Sequence, residues 1–218
     1  PARAAPPCSS ASGATEAHPM STQPIHADRV NATPWRNGGG ATRELLAWPT
    51  SANWRVRLSM ADIAHDGPFS AFDGVRRWLV LLSGHGIALA LPGGETNLRP
   101  LDAPLAFDGA AAPGCRLLDG PVRDLNFMCR GGGRADLQPV VPAQDWHVPP
   151  GALVGLFARV PGAWRAGRHT RALPAHSLVW CPPDQHDATD TWRFEPDTPA
   201  PGPCGWWLFH QPDKEPQP

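Results

Sequence analysis

No run of about 18 apolar residues occurs in the 218-residue chain, so no transmembrane helix is expected. A charge of one sign is also missing. The formal net charge is -1, which argues against a nucleic-acid binder relying on a broad basic surface. Five cysteines (Cys8, Cys115, Cys129, Cys181, Cys204) form no CxxC pair, and their odd count and wide spacing read as neither a disulfide framework nor a zinc site. Free thiols in a reducing compartment, the cytoplasm, are the expectation. There is no GxGxxG, no GxxxxGK[ST] and no GxSxG, so neither a nucleotide cradle nor a nucleophile elbow is recognisable. No HxH pair occurs. His169, His176 and His186 lie nearest one another, at spacings that match no helical metal motif. Tyrosine is absent, whereas tryptophan occurs 10 times.

What is present points to strands and turns. The chain has 28 prolines and 22 glycines, and no long amphipathic helix can be traced. Residues 1–19 are rich in Ala, Pro and Ser and lack the apolar core of a secretory signal. They read as a disordered extension ahead of a natural start at Met20. Residues 213–218 read as a loose tail. Strands are expected over 25–31, 42–48, 54–60, 75–82, 87–91, 105–107 and 122–130. A second set follows over 153–160, 178–181, 191–194 and 206–210. The spacing indicates a sandwich or barrel, divided near Gly131 into lobes of residues 20–135 and 136–212.

The most informative stretch runs from Thr33 to Glu44 and contains Gly38-Gly39-Gly40. Consecutive glycines serve either a tight turn or a close approach of a ligand to backbone amides. Arg36 and Arg43 can fork onto a carboxylate, Asn37 can donate and accept, and Trp35 offers a flat wall, with Thr42 beside them. In Trp54–Met60 the apolar residues share one face and Arg55, Arg57 and Ser59 the other, which meets either water or a polar interior. Phe69 and Phe72, in a turn cluster, either plug the end of a barrel or wall a pocket. Asn126 stands in mid-strand opposite Leu125 and Phe127. It serves either a neighbouring backbone group or a ligand.

Four segments together carry a resemblance: Pro34–Gly40 with Thr42-Arg43-Glu44, Trp54–Ser59, Asp66–Ser70 with Phe72 and Gly74, and Gly120–Met128. Through them the chain resembles the HutD/Ves family of the cupin superfamily. The match covers residues 24–130 with motifs. The resemblance implies an all-β bicupin, two β-barrel or jelly-roll lobes in one chain, without the usual cupin metal ligands and without a cofactor. It also implies binding of a small acid of histidine degradation, such as urocanate or a formyl- or formimino-glutamate, and moderation of that pathway. No catalytic residue is implied. Arg36, Arg43 and Arg57 are then the expected carboxylate partners, with Asn37 and Asn126 on the polar remainder. Trp35 or Phe69 forms the wall, Gly38, Gly39 and Gly40 admit the backbone, and Thr42 lines the site. The expected partner is that small molecule, with no nucleic acid and no membrane, and with room for a homodimer. The carboxy-terminal lobe, rich in Pro and Trp, matches little. Three rivals stand beside this reading: an enzyme using Glu44 or Asp124 as base, a metal-dependent cupin enzyme, and an interaction protein with an exposed patch at Trp206-Trp207.

Overall fold

Along Leu153–Ala158, Leu153 and Phe157 face one way while Val154, Leu156 and Ala158 face the other, and every one of them is buried. A strand apolar on both faces must lie between two layers. The computed structural model, which describes residues 23–187 and 189–213, shows that sandwiching throughout. The strands in chain order are β1 (Ile25–His26), β2 (Thr33–Pro34), β3 (Gly40–Trp48), β4 (Val56–Ile63), β5 (Gly67–Pro68), β6 (Val75–Ser83), β7 (Ile87–Leu91), β8 (Gly94–Leu98), β9 (Leu105–Asp108) and β10 (Gly114–Leu117). They continue with β11 (Val122–Arg130), β12 (Arg134–Pro139), β13 (Trp146–His147), β14 (Leu153–Ala158), β15 (Gly162–Ala166), β16 (His169–Leu173), β17 (Ser177–Cys181), β18 (Thr191–Pro196) and β19 (Gly205–Gln211). The expected extension and most of the loose tail lie outside the described residues.

These strands form four sheets: a six-stranded one (β2-β3-β4-β11-β6-β9), a five-stranded one (β1-β17-β14-β19-β12) and two outer sheets (β5-β10-β7-β8 and β13-β18-β15-β16). The two large sheets meet face to face through Leu58, Met60 and Phe127 on one side and Phe157, Leu178 and Trp206 on the other. The reverse face of the six-stranded sheet packs Leu79 and Leu81 on Ile87 and Leu89 of its outer sheet. The reverse face of the five-stranded sheet packs Val179 and Trp207 on Trp164 and Trp192. The result is a stack of four layers.

The fold is all-β, as expected, but the expected barrels are not closed. Each sheet keeps free edges among the described residues, because the apolar faces are satisfied by face-to-face packing and need no edge-to-edge hydrogen bonds. The first strand is also shorter than expected. Beyond His26 the chain turns into a short 3-10 helix, Ala27–Arg29, and β1 pairs with β17 of the five-stranded sheet. Trp206 and Trp207 are 0% and 3% exposed, so the tryptophan patch that marks the rival interaction-protein reading does not exist. No helix among the described residues is long and apolar enough to cross a membrane.

Candidate functional site

Register decides which polar side chains meet. In an antiparallel sheet, directly paired residues project from the same face. On the six-stranded sheet one such row runs Ala47, Arg57, Met128, Arg77, Phe107, and the next runs Glu44, Ser59, Asn126, Leu79. A third runs Thr42, Ala61, Asp124, Leu81. All three rows lie on the face covered by the outer sheet β5-β10-β7-β8. Glu44, Arg57, Ser59, Arg77, Asp124 and Asn126 therefore share one interior. Of the two faces open to Arg57, the structure selects the interior one.

The interior is graded in exposure. Arg57 donates from Nε to Glu44 at 2.8 Å, and their side chains are 21% and 35% exposed, so the cluster reaches solvent along the β3–β4 edge. Arg77, Asp124 and Ser59 are buried. The Arg77 guanidinium lies 5.0–5.7 Å from the ring centres of Phe107, Phe69 and Phe72, close enough for cation–π attraction, and Nη1 donates to the Ser70 carbonyl at 3.3 Å. Burial lowers the Arg77 value to about 10, against the pull of Asp124 and with the push of Arg57. Burial likewise raises Asp124 from 3.8 to about 7, although Arg77 and a backbone hydrogen bond with Ala61 favour the charged form. Three buried polar atoms here have no hydrogen-bond partner: Arg77 Nε, Asp124 Oδ1 and Asn126 Oδ1. Buried polar atoms are normally satisfied, so three orphans on one face make it a candidate for bound water or a polar molecule.

The Gly38–Gly40 stretch does something else. Trp35 N–H donates to the Gly40 carbonyl at 2.9 Å and Gly38 N–H to the Trp35 carbonyl at 3.0 Å, closing the β2–β3 hairpin. The Asn37 carbonyl oxygen accepts from Gly39 N–H at 3.0 Å. The Gly39 carbonyl accepts from Ala64 and His65. These groups serve the chain itself, which is the turn reading of the two. Gly38 takes φ +72, and a Cβ on Gly40 would stand 2.4 Å from the Asp62 carbonyl oxygen. The glycines therefore let the hairpin turn and press on β4.

The remaining expected residues divide. Trp35 donates from Nε1 to Thr42 at 2.7 Å and meets Phe69 edge-on, with ring centres 6.5 Å apart, at the rim of the interior. Arg36 is exposed on the turn. Arg43 projects from the opposite face of β3 from Glu44 and Thr42, and pairs with Asp62 at 2.5 Å. Asp62 also takes Arg123 at 2.6 Å, and Arg123 reaches Asp28, which meets His176 at 3.3 Å. Burial opposes ionisation of Asp62, but hydrogen bonds from Arg123 and Arg43 outweigh it and hold the carboxyl below its ordinary range. This chain of charges ties the two large sheets together. Arg43 and Arg57 thus stand on opposite faces and are not two prongs of one site. The expected list omitted Ser59 and Arg77. Alternation gives the signal for the second, since Arg77 shares a stripe with Leu79 and Leu81.

A surface depression of about 340 Å³ lies elsewhere, on the outside of the outer sheet beside Ala88, Ala90 and Gly114. Its one ion pair, Arg116–Glu95 at 3.2 Å, is solvent-exposed, and it gathers no buried polar atoms, so the interior cluster is the better candidate. No three His, Cys, Asp or Glu side chains gather among the described residues, so no usual metal-ligand set is offered there.

With this geometry in hand, the chain was compared with known proteins. The HutD family model matches residues 27–195. An uncharacterized 21.2 kDa protein in the hutC 3′ region of Pseudomonas putida is 38% identical over 109 residues, 49% of this chain and 57% of that protein. The chain thus spans little more than half of that relative. Protein Ves of Citrobacter koseri is 33% identical over 136 residues, 61% of this chain and 70% of that protein. Among solved structures, a conserved protein of unknown function from Pseudomonas aeruginosa PAO1 superposes with TM-score 0.72 at 30% identity, covering 86% of this chain and 96% of that one. HutD from Pseudomonas fluorescens SBW25, in a formate condition, gives 0.70 at 26%, covering 87% and 97%. Bacillus subtilis oxalate decarboxylase, at TM-score 0.55 and 10% identity over 88% and 77% of the two chains, shares the cupin-like fold alone.

Proposed function

This chain belongs to the HutD family, and from that premise we propose that it is a histidine-utilisation-associated cupin protein that holds a small carboxylate against the inner face of the six-stranded sheet. One observation carries the reading: two arginines and three unpartnered buried polar atoms share that face. A carboxylate is the ligand that planar guanidinium groups recognise best. Asn126 and Ser59 suit the polar remainder of the ligand, and Trp35 and Phe69 its apolar edge. In this reading the two sandwiches are the lobes of a bicupin that meet at Gly131–Gly133, a little before the expected boundary at 135, since all of β12 pairs with β19, and β1 is lent across to the second. Cys115, Cys129, Cys181 and Cys204 are free and buried, which suits a cytoplasmic protein.

Thermal unfolding with urocanate, N-formylglutamate or formiminoglutamate tests the reading. A ligand at about 100 times its Kd adds about 2.7 kcal/mol, a rise in Tm of roughly 5–10 °C for a chain of this size. Arg77→Met is expected to lose that rise, because Arg57 is already engaged by Glu44. If none of the three acids moves the Tm, the reading is wrong. A second reading, turnover of the bound acid with Asp124 as base, is favoured by the carboxyl's raised value. An NMR time course showing product with the native chain and none with Asp124→Asn would decide for it.

A further inference from the structure

The interior cluster holds two cations and two carboxylates, and that balance has a consequence for any anion that enters. Arg57 is already paired with Glu44 at 2.8 Å. Arg77 is therefore the cation left to receive the newcomer, and it stands on the same face as Asp124, opposite Met128 where Asp124 is opposite Leu81, near enough to favour the carboxylate's charge. Two anions on one buried face repel each other, and burial magnifies the repulsion. Asp124 Oδ1 and Asn126 Oδ1 lie two residues apart on the same face, both unpartnered, and both are acceptors. A proton on Asp124 would remove its charge and turn an acceptor into a donor.

We propose, resting on the carboxylate-binding reading, that an anion binds this interior together with one proton and that Asp124 holds the proton.

The groups around Asp124 allow no other holder. Arg77 on β6 and Arg57 on β4 are cations. Asp62, at the far end of β4, is held ionised by its two arginines on the opposite face. Glu44 on β3 is engaged by Arg57. Cys115 on β10, pushed up to about 12 by burial and by Asp124 and Asp66, stays a thiol. In the free protein Asp124 changes charge at about 7. Below that value it is already neutral and affinity is flat. Above it, each bound anion must draw a proton from solvent, so affinity falls about tenfold per pH unit.

N-formylglutamate is the probe, since its carboxylates do not titrate near neutrality. Isothermal titration at about pH 8.5, in two buffers of different ionisation enthalpy, is expected to show uptake of close to one proton per bound ligand. At about pH 6 uptake is expected near zero, with affinity roughly thirtyfold higher. Asp124→Asn is expected to bind with the pH slope gone. Should that variant not fold, the buffer experiment on the native chain decides alone. Binding with no proton uptake at about pH 8.5 overturns the inference and leaves the carboxylate reading standing. No binding at either pH overturns both.

Discussion

Replacing Arg77 by Met is expected to cost the fold roughly 1–2 kcal/mol more at about pH 8 than at about pH 5. The asymmetry follows from Asp124. Its folded value, near 7, lies above its ordinary 3.8, so its contribution to stability is complete below 3.8 and is lost as pH rises through about 7. At the higher pH the carboxylate is charged, fully inside, and dependent on Arg77. Removing the cation leaves an uncompensated buried charge. At the lower pH Asp124 is neutral. What is removed is then a cation that burial already penalises, and Met keeps an apolar stem against Phe69, Phe72 and Phe107. Urea unfolding at the two pH values measures the difference. Equal losses at both would show that Arg77 does not compensate Asp124. The same variant is expected to give no thermal shift with any of the three acids.

Trp192→Ala is expected to remove about 3–5 kcal/mol, a fall in Tm of roughly 6–20 °C. Trp192 is completely buried and lies at the centre of the carboxy-terminal sandwich. Its ring stands 5.0 Å from Trp164, 6.2 Å from Trp207 and 6.3 Å from Trp146, centre to centre, with steep edge-to-face angles throughout. Truncation opens a cavity that three large rings cannot collapse into without losing their own geometry. Differential scanning calorimetry checks this, and a loss under about 1 kcal/mol would mean that the rings repack. The contrast between the sandwiches is chemical. Between the six-stranded sheet and its cover lie two arginines, two carboxylates and an amide. Between the five-stranded sheet and its cover lie tryptophans. On the same face as Trp207 and Phe209 the second interior has one half-buried carboxylate, Asp136, already held by Gln138.

Alternation made part of this legible. Arg57 and Ser59 fall on one face of their strand, and Asp124 and Asn126 on one face of theirs, as strand geometry requires. That the two faces coincide is a matter of register, which no single strand reveals. Arg77 escaped because Val75–Leu82 reads as an apolar run with arginines at its start. Its place beside Met128 shows only once β6 is paired with β11. Strict alternation along β3 puts Arg43 on the face of Ala47, the partner of Arg57. The irregularity between Glu44 and Leu46 shifts the phase of β3, and nothing in the residues announces it. The short strands β8, β10, β15 and β16 were missed because they are small, polar or exposed on one side. The choice between barrel and sandwich rests on what happens at strand edges, where side-chain pattern carries no information.

The pairing of β1 with β17 bears on how the chain is made. Ile25 lies opposite Leu178 and His26 opposite Ser177, and the Ala27 N–H donates to the His176 carbonyl at 2.8 Å. When β11 leaves the ribosome, every strand of the six-stranded sheet has been synthesised, yet β1 still has no partner. It must wait until β17 emerges, and so must the face bearing Leu58, Met60 and Phe127, whose cover is the five-stranded sheet. A nascent chain stalled at Gly131–Gly133 therefore carries a finished polar interior and an unfinished apolar back. Translation past that point completes the second half and also covers the first.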